Sequence, residues 1–143
     1  MTYYAKNYGY SSETIAKRVW TANTEVKEQY VYRDAEGNEL YAEEKGFAPG
    51  NDEKKLRIVA AGRAARDLYQ MGESIDNAGY EGPRVLYRLP ELIASDRGER
   101  VFITEGPKDA ETLARFGLIA TTNAFGALSW NLPTASIYEA DML

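Results

Sequence analysis

The sequence predicts an α/β chain, α+β overall, in which an N-terminal helix and a β-hairpin precede a short βαβ unit. Two stretches carry that expectation. Val101-Phe102-Ile103-Thr104 is an apolar run ending at Glu105-Gly106-Pro107; a helical run follows, and Gly117 stops it before a second apolar run, Leu118 to Thr122. Strand, helix and strand at this spacing read as a parallel pair joined by a crossover. Upstream, Tyr30-Val31-Tyr32-Arg33 and Glu39-Leu40-Tyr41-Ala42 flank Asp34-Ala35-Glu36-Gly37-Asn38. Asp34 suits the first position of a turn, and Gly37 can take the left-handed conformation that closes it, so this segment predicts a hairpin.

The other elements follow in order. Residues 1–10 are tyrosine-rich and weakly patterned. Ser11 or Ser12 can cap a short helix whose Ile15, Ala16, Val19 and Trp20 are spaced for one face. Past the breaker cluster Ala48-Pro49-Gly50-Asn51-Asp52, the residues Leu56, Val59, Ala60, Ala64, Leu68 and Met71 recur at helical spacing. Leu56-Arg57-Ile58-Val59 also reads as a strand, so this element has two readings at its start. Residues 72–83, with three glycines, read as a loop. Arg84 to Tyr87 predicts a short strand, and Pro90 suits the first turn of a helix running to about Ser95. The strand over 100–104, the helix over 107–116 and the strand over 118–122 complete the chain's clearest unit, with Asp109 and Glu111 near the positive end of that helix. The expected division is 1–83, a helix, hairpin and helix region, and 84–143, the α/β region, packed as one unit.

Composition narrows the chemistry. The 143 residues include no cysteine and no histidine, which excludes Cys/His zinc sites, thiol catalysis and the Ser-His-Asp and Cys-His nucleophile systems. Any metal must be a hard cation held by oxygen, and any general base a carboxylate, lysine or tyrosine. The 22 acidic residues exceed the 17 basic ones, and the isoelectric point lies near 4.9, against the basic stripe usual in stand-alone nucleic-acid binders. No run of 18 apolar residues and no signal-peptide pattern occurs, so the expectation is a cytoplasmic protein without a membrane partner. The 11 tyrosines, without interleaved basic residues, read as core and protein-interface residues before they read as base-stacking platforms.

Glu105 is the first candidate site residue. A carboxylate at the C-terminal end of a parallel strand, followed by glycine, can bind Mg²⁺ or exchange a proton with a sugar hydroxyl or phosphate. Its other reading is a loop acid capping the next helix. Lys108 can meet a phosphate as a point charge, or Lys108 and Asp109 can form a solvated charge pair at the helix end.

The blocks Glu105-Gly106-Pro107-Lys108-Asp109-Ala110, Gly117-Leu118-Ile119-Ala120-Thr121-Thr122-Asn123 and Leu86-Tyr87-Arg88-Leu89-Pro90-Glu91, with Phe125-Gly126-Ala127-Leu128-Ser129-Trp130 after them, together resemble the Toprim region of phage and plasmid DNA primases. Pro107 departs from the glutamate usual at that place. The resemblance covers about residues 84–130 and implies a partial Toprim-like unit in which Glu105, Lys108 and Asp109 are the catalytic group. It further implies an Asp-x-Asp metal pair on a later strand, for which Glu139-Ala140-Asp141 is the candidate, so that Glu105, Glu139 and Asp141 would hold Mg²⁺. The spacing does not fit that pair, since Asn131-Leu132-Pro133-Thr134 leaves no room for the intervening helix, and residues 139–141 read instead as part of an acidic tail.

Two functions are therefore expected. One is a phage or mobile-element protein derived from a primase-type module, with DNA or RNA as partner and Mg²⁺-dependent phosphoryl chemistry. The other is a non-catalytic acidic protein that binds a host or phage protein complex and inhibits nucleic-acid processing or defence, as an anti-CRISPR protein does.

Overall fold

The computed structural model describes residues 11–61 and 82–124. The protein is α+β: a three-stranded antiparallel sheet, a two-stranded parallel sheet and short helices. The described residues fall into two compact units, one of 11–30 with 41–61 and one of 31–40 with 82–124. The expected helical positions Ala64, Leu68 and Met71, the candidate metal residues Glu139 and Asp141, and Tyr3, Tyr4, Tyr8 and Tyr10 lie outside the described residues.

In the first unit, α1 (Ser12–Arg18) packs against β3 (Asn51–Ala60). The helix stops before Val19, so the expected single face is broken: Val19 is exposed and Trp20 buried. Lys55 supports that end. Its ammonium is buried and donates to the carbonyls of Lys17 and Val19 at 2.5 and 2.8 Å, placing a cation on the negative end of the helix. Burial holds the Lys55 pKa below its ordinary value.

The strand reading of residues 56–59 is the one the structure adopts. β2 (Glu39–Ala48) turns through Pro49 and Gly50 into β3, with Ala48 paired to Asn51 and Tyr41 to Ala60. The breaker cluster is thus a two-residue hairpin turn, in which proline fixes one φ and Gly50 takes φ 74°. The register shifts between Gly46 and Ala48, where Phe47 of β2 stands opposite Asp52, Glu53 and Lys54, so the bulge lies in β3. Gly46 has no room for a side chain: a Cβ there would stand 2.5 Å from the Glu25 carbonyl oxygen and 2.9 Å from the Trp20 ring. Gly46→Ala is expected to destabilise the protein by about 1–3 kcal/mol through forced backbone displacement, read as a lower urea midpoint at unchanged slope.

The predicted hairpin forms, longer than expected, from β1 (Glu25–Arg33) and β2, and β1 borders β2 in the order β1-β2-β3. Asp34 organises its turn. The carboxylate accepts the amides of Glu36 and Asn38 at 3.0 and 2.8 Å and the Asn38 side chain at 3.1 Å, while Gly37, at φ 88°, donates to the Asp34 carbonyl. The Asn38 side-chain bond, with the backbone amides, holds the Asp34 pKa below its ordinary value. A depressed carboxylate pKa contributes stability above the unfolded-state value, and that contribution is lost as pH falls through the folded value. Asp34→Ala is therefore expected to lower stability at neutral pH and to flatten its fall on acidification; parallel slopes for both proteins would refute this.

In the second unit the hairpin tip supplies Tyr32, which is fully buried and meets the Tyr87 ring at 5.1 Å between centroids. Val85, Leu86 and Tyr87 are all buried, but the expected strand over 84–87 is not a regular ladder. Side chain and backbone stitch it instead: the Tyr87 amide donates to the Thr122 carbonyl at 2.8 Å, and the Thr121 hydroxyl donates to the Tyr87 carbonyl at 2.7 Å. Helix α2 (Leu89–Ala94) begins at Leu89 with Pro90 in its first turn. The βαβ unit is present as β4 (Val101–Ile103), α3 (Pro107–Arg115) and β5 (Ile119–Thr121), with Val101, Phe102 and Ile103 paired in parallel to Ile119, Ala120 and Thr121. Gly117, at φ 79°, closes α3.

Candidate functional site at the parallel strand ends

Three chain segments end side by side in the second unit. The Thr104 amide donates to the Thr121 carbonyl at 2.9 Å, and the Thr122 hydroxyl donates to the Thr104 carbonyl at 2.7 Å. Tyr87 bonds to Thr122 on the other side. Tyr87, Thr122 and Thr104 thus form one hydrogen-bonded row across the C-terminal ends of the strands. One residue beyond this row stand Arg88, Asn123 and Glu105. Open parallel sheets place ligands at this edge, because loops diverge there and the following helix presents its positive end.

Glu105 lies where the sequence places it. It is exposed, and its carboxylate has no hydrogen-bond or salt-bridge partner among the described residues. The helix-cap reading does not describe it, since Gly106 is the N-cap of α3 and Pro107, at the first helical position, has no amide to donate. Thr104 braces the turn by donating to the Gly106 carbonyl at 2.9 Å. Lys108 and Asp109 are exposed in the first turn of α3, close in sequence to Glu105; the Lys108 carbonyl accepts the Thr112 hydroxyl. Among the described residues no three acidic side chains are grouped as a metal site.

Two residues that sequence reasoning passed over complete the edge. Asn123 is 4% exposed, and its Oδ1 is the one buried side-chain polar atom without a partner among the described residues. Leaving a buried acceptor unpaired costs about 1–3 kcal/mol, so its retention calls for a reason. Arg88 is the only non-glycine residue at positive φ among the described residues, at φ 60° and ψ 36°. That conformation costs roughly 1–2 kcal/mol for a residue with a Cβ. Its guanidinium donates to Glu111 Oε1 at 3.2 Å and lies 3.8 Å from Glu91; the Tyr87 hydroxyl donates to the same Glu111 oxygen at 2.5 Å. The position of Asn123 past a predicted strand end was an available signal, by the same rule that singles out Glu105. Nothing local marks Arg88, whose strain arises from its junction between a pinned Tyr87 and α2.

An exposed carboxylate and, on the neighbouring segment, an amide oxygen without a partner among the described residues are of the ligand type a hard cation takes, since Mg²⁺ takes oxygen ligands, needs only one or two from the protein and keeps several waters. Glu105 and Asn123 are the residues that fit that requirement here. No family model, curated protein or solved structure matches the chain. No helix among the described residues is long and apolar enough to cross a membrane.

Proposed function

We propose that the protein is a Toprim-like, primase-type module acting in nucleic-acid transactions, with Mg²⁺-dependent phosphoryl chemistry at the strand ends of the second unit. The observation that carries this reading is Glu105, exposed and without a partner among the described residues, past the C-terminal end of β4 in a parallel βαβ unit. Glu105 takes the role of general acid/base on a sugar hydroxyl or phosphate, and Lys108 that of a point charge for phosphate. Mg²⁺, when bound, would neutralise charge on the transferring phosphoryl group. Asp109 keeps the place the resemblance gives it, in the first turn of α3. Incubation of the full chain with primed and single-stranded DNA, nucleoside triphosphates and Mg²⁺ is expected to give extended or cleaved strands. A protein that neither turns over nor binds DNA in this assay overturns the proposal.

One observation favours the non-catalytic reading: Ile103, Phe116 and Leu118 are exposed apolar side chains in the second unit, Phe116 at 78%. Under that reading the protein binds and inhibits a host or phage nucleic-acid-processing complex. Phe116→Ser would then abolish partner binding, whereas it leaves turnover intact if the chemistry is the function.

A further inference from the structure

We infer that Arg88 is a phosphate-binding residue of this site, an assignment that rests on the proposed nucleic-acid function. The Arg88 side chain is 27% exposed, and among the described residues its guanidinium makes a single hydrogen bond, to Glu111, out of five possible donors. A planar fork of donors held in one orientation, with most of them unbonded among the described residues, matches a tetrahedral oxyanion that accepts two parallel bonds.

The backbone supports the same assignment. Residue 88 sits at φ 60°, where glycine or asparagine is accommodated without strain, and a turn needing only to start α2 has no use for arginine. Tyr87 is fixed on both sides, through its amide to Thr122 and its carbonyl from Thr121, and its hydroxyl shares Glu111 Oε1 with Arg88. Those bonds dictate where the guanidinium stands, and strain retained in such an over-determined place is characteristic of binding sites. Arg88 is one residue past the row that also precedes Asn123 and Glu105. A phosphate at Arg88 would bring a sugar hydroxyl or a cation-bound water to the edge where Asn123 Oδ1 has no donor among the described residues. Glu91 and Glu111 hold the arginine without saturating it: one bonds at 3.2 Å and the other lies beyond hydrogen-bond reach at 3.8 Å.

Arg88→Gly separates this role from a structural one, because glycine removes the guanidinium while relieving the positive φ. Binding of a fluorescent single-stranded oligonucleotide and, separately, of ATP is measured with Mg²⁺ across a salt series, alongside thermal melting. Arg115→Gln, at the far end of α3, controls for general loss of positive charge. Arg88→Gly is expected to melt within a few degrees of the parent or above it and to bind at least about tenfold more weakly. Loss for the oligonucleotide, with a log–log salt slope reduced by about 0.7, identifies a strand phosphate; loss confined to ATP identifies a nucleotide phosphate. Arg88→Lys is expected to keep the salt slope and recover only part of the affinity, since lysine is a point charge. Undiminished binding by Arg88→Gly, or equal weakening by Arg115→Gln, overturns the assignment and leaves the proposed function standing. Failure of the parent protein to bind either ligand overturns both.

Discussion

Glu44→Leu is expected to destabilise the protein by about 3–5 kcal/mol, the largest effect of any single substitution considered. Glu44 and Arg57 face each other across β2 and β3, both nearly excluded from solvent. Arg57 Nε donates to Glu44 Oε1 at 2.9 Å, its NH2 donates to the same oxygen, and Gln29 donates to Glu44 Oε2 at 3.0 Å. The Trp20 ring covers the guanidinium with its centroid 4.1 Å away, so the cation is enclosed by an apolar face as well as by its partner. Burial pulls the Arg57 pKa down and Glu44 pulls it back. Removing Glu44 leaves a charge in a place with neither water nor counter-ion, and the missing compensation, rather than the worth of the pair, sets the cost. Replacing both partners tests that distinction. Glu44→Leu with Arg57→Met is expected to recover most of the loss, because neither charge then needs solvation and the volume stays filled. Urea denaturation of the three proteins measures it; a single variant costing less than about 1 kcal/mol, or a double variant no better than the single, contradicts this account.

That buried pair also shows where the sequence ceases to be readable. The βαβ unit and the Asp34 turn were legible because their signals are local: an apolar run, Gly106-Pro107, Gly117, and an aspartate three residues before a glycine. Residues 51–60 were ambiguous for an equally physical reason. Leu56, Val59 and Ala60 fit helical spacing, and with Lys55 and Arg57 taken as surface charges no two-residue alternation shows. Both charges are in fact buried, one on the carbonyls of Lys17 and Val19 and one on Glu44. Such partners are distant in sequence, so the side that these residues face is decided by tertiary structure. The decisive local clue was Pro49-Gly50, which turns the chain sharply enough to pair Ala48 with Asn51.

The candidate site divides in the same way. Glu105 followed from the rule that parallel strands present ligands at their C-terminal ends, whereas Arg88 and Asn123 depend on the Tyr87–Thr122–Thr104 row. That row rests on a tyrosine amide and two threonine hydroxyls whose partners no spacing reveals.

Glu105→Gln carries the largest expected effect on activity. The substitution keeps size and polarity but removes the charge and the ability to exchange a proton, and positioned acid–base groups contribute roughly 10²–10⁴-fold to rate. Because the Glu105 carboxylate is exposed and has no bonded partner among the described residues, the variant is expected to stay within about 0.5 kcal/mol of the parent in stability. A helix cap would instead cost about 1 kcal/mol on removal. The direct measurement is kcat for Mg²⁺-dependent extension or cleavage of DNA by parent and Glu105→Gln, with melting followed in the same preparations. The kcat is expected to fall at least about a hundredfold at unchanged melting temperature; turnover that survives the substitution, or a loss that merely tracks unfolding, rules out Glu105 as the acid–base group.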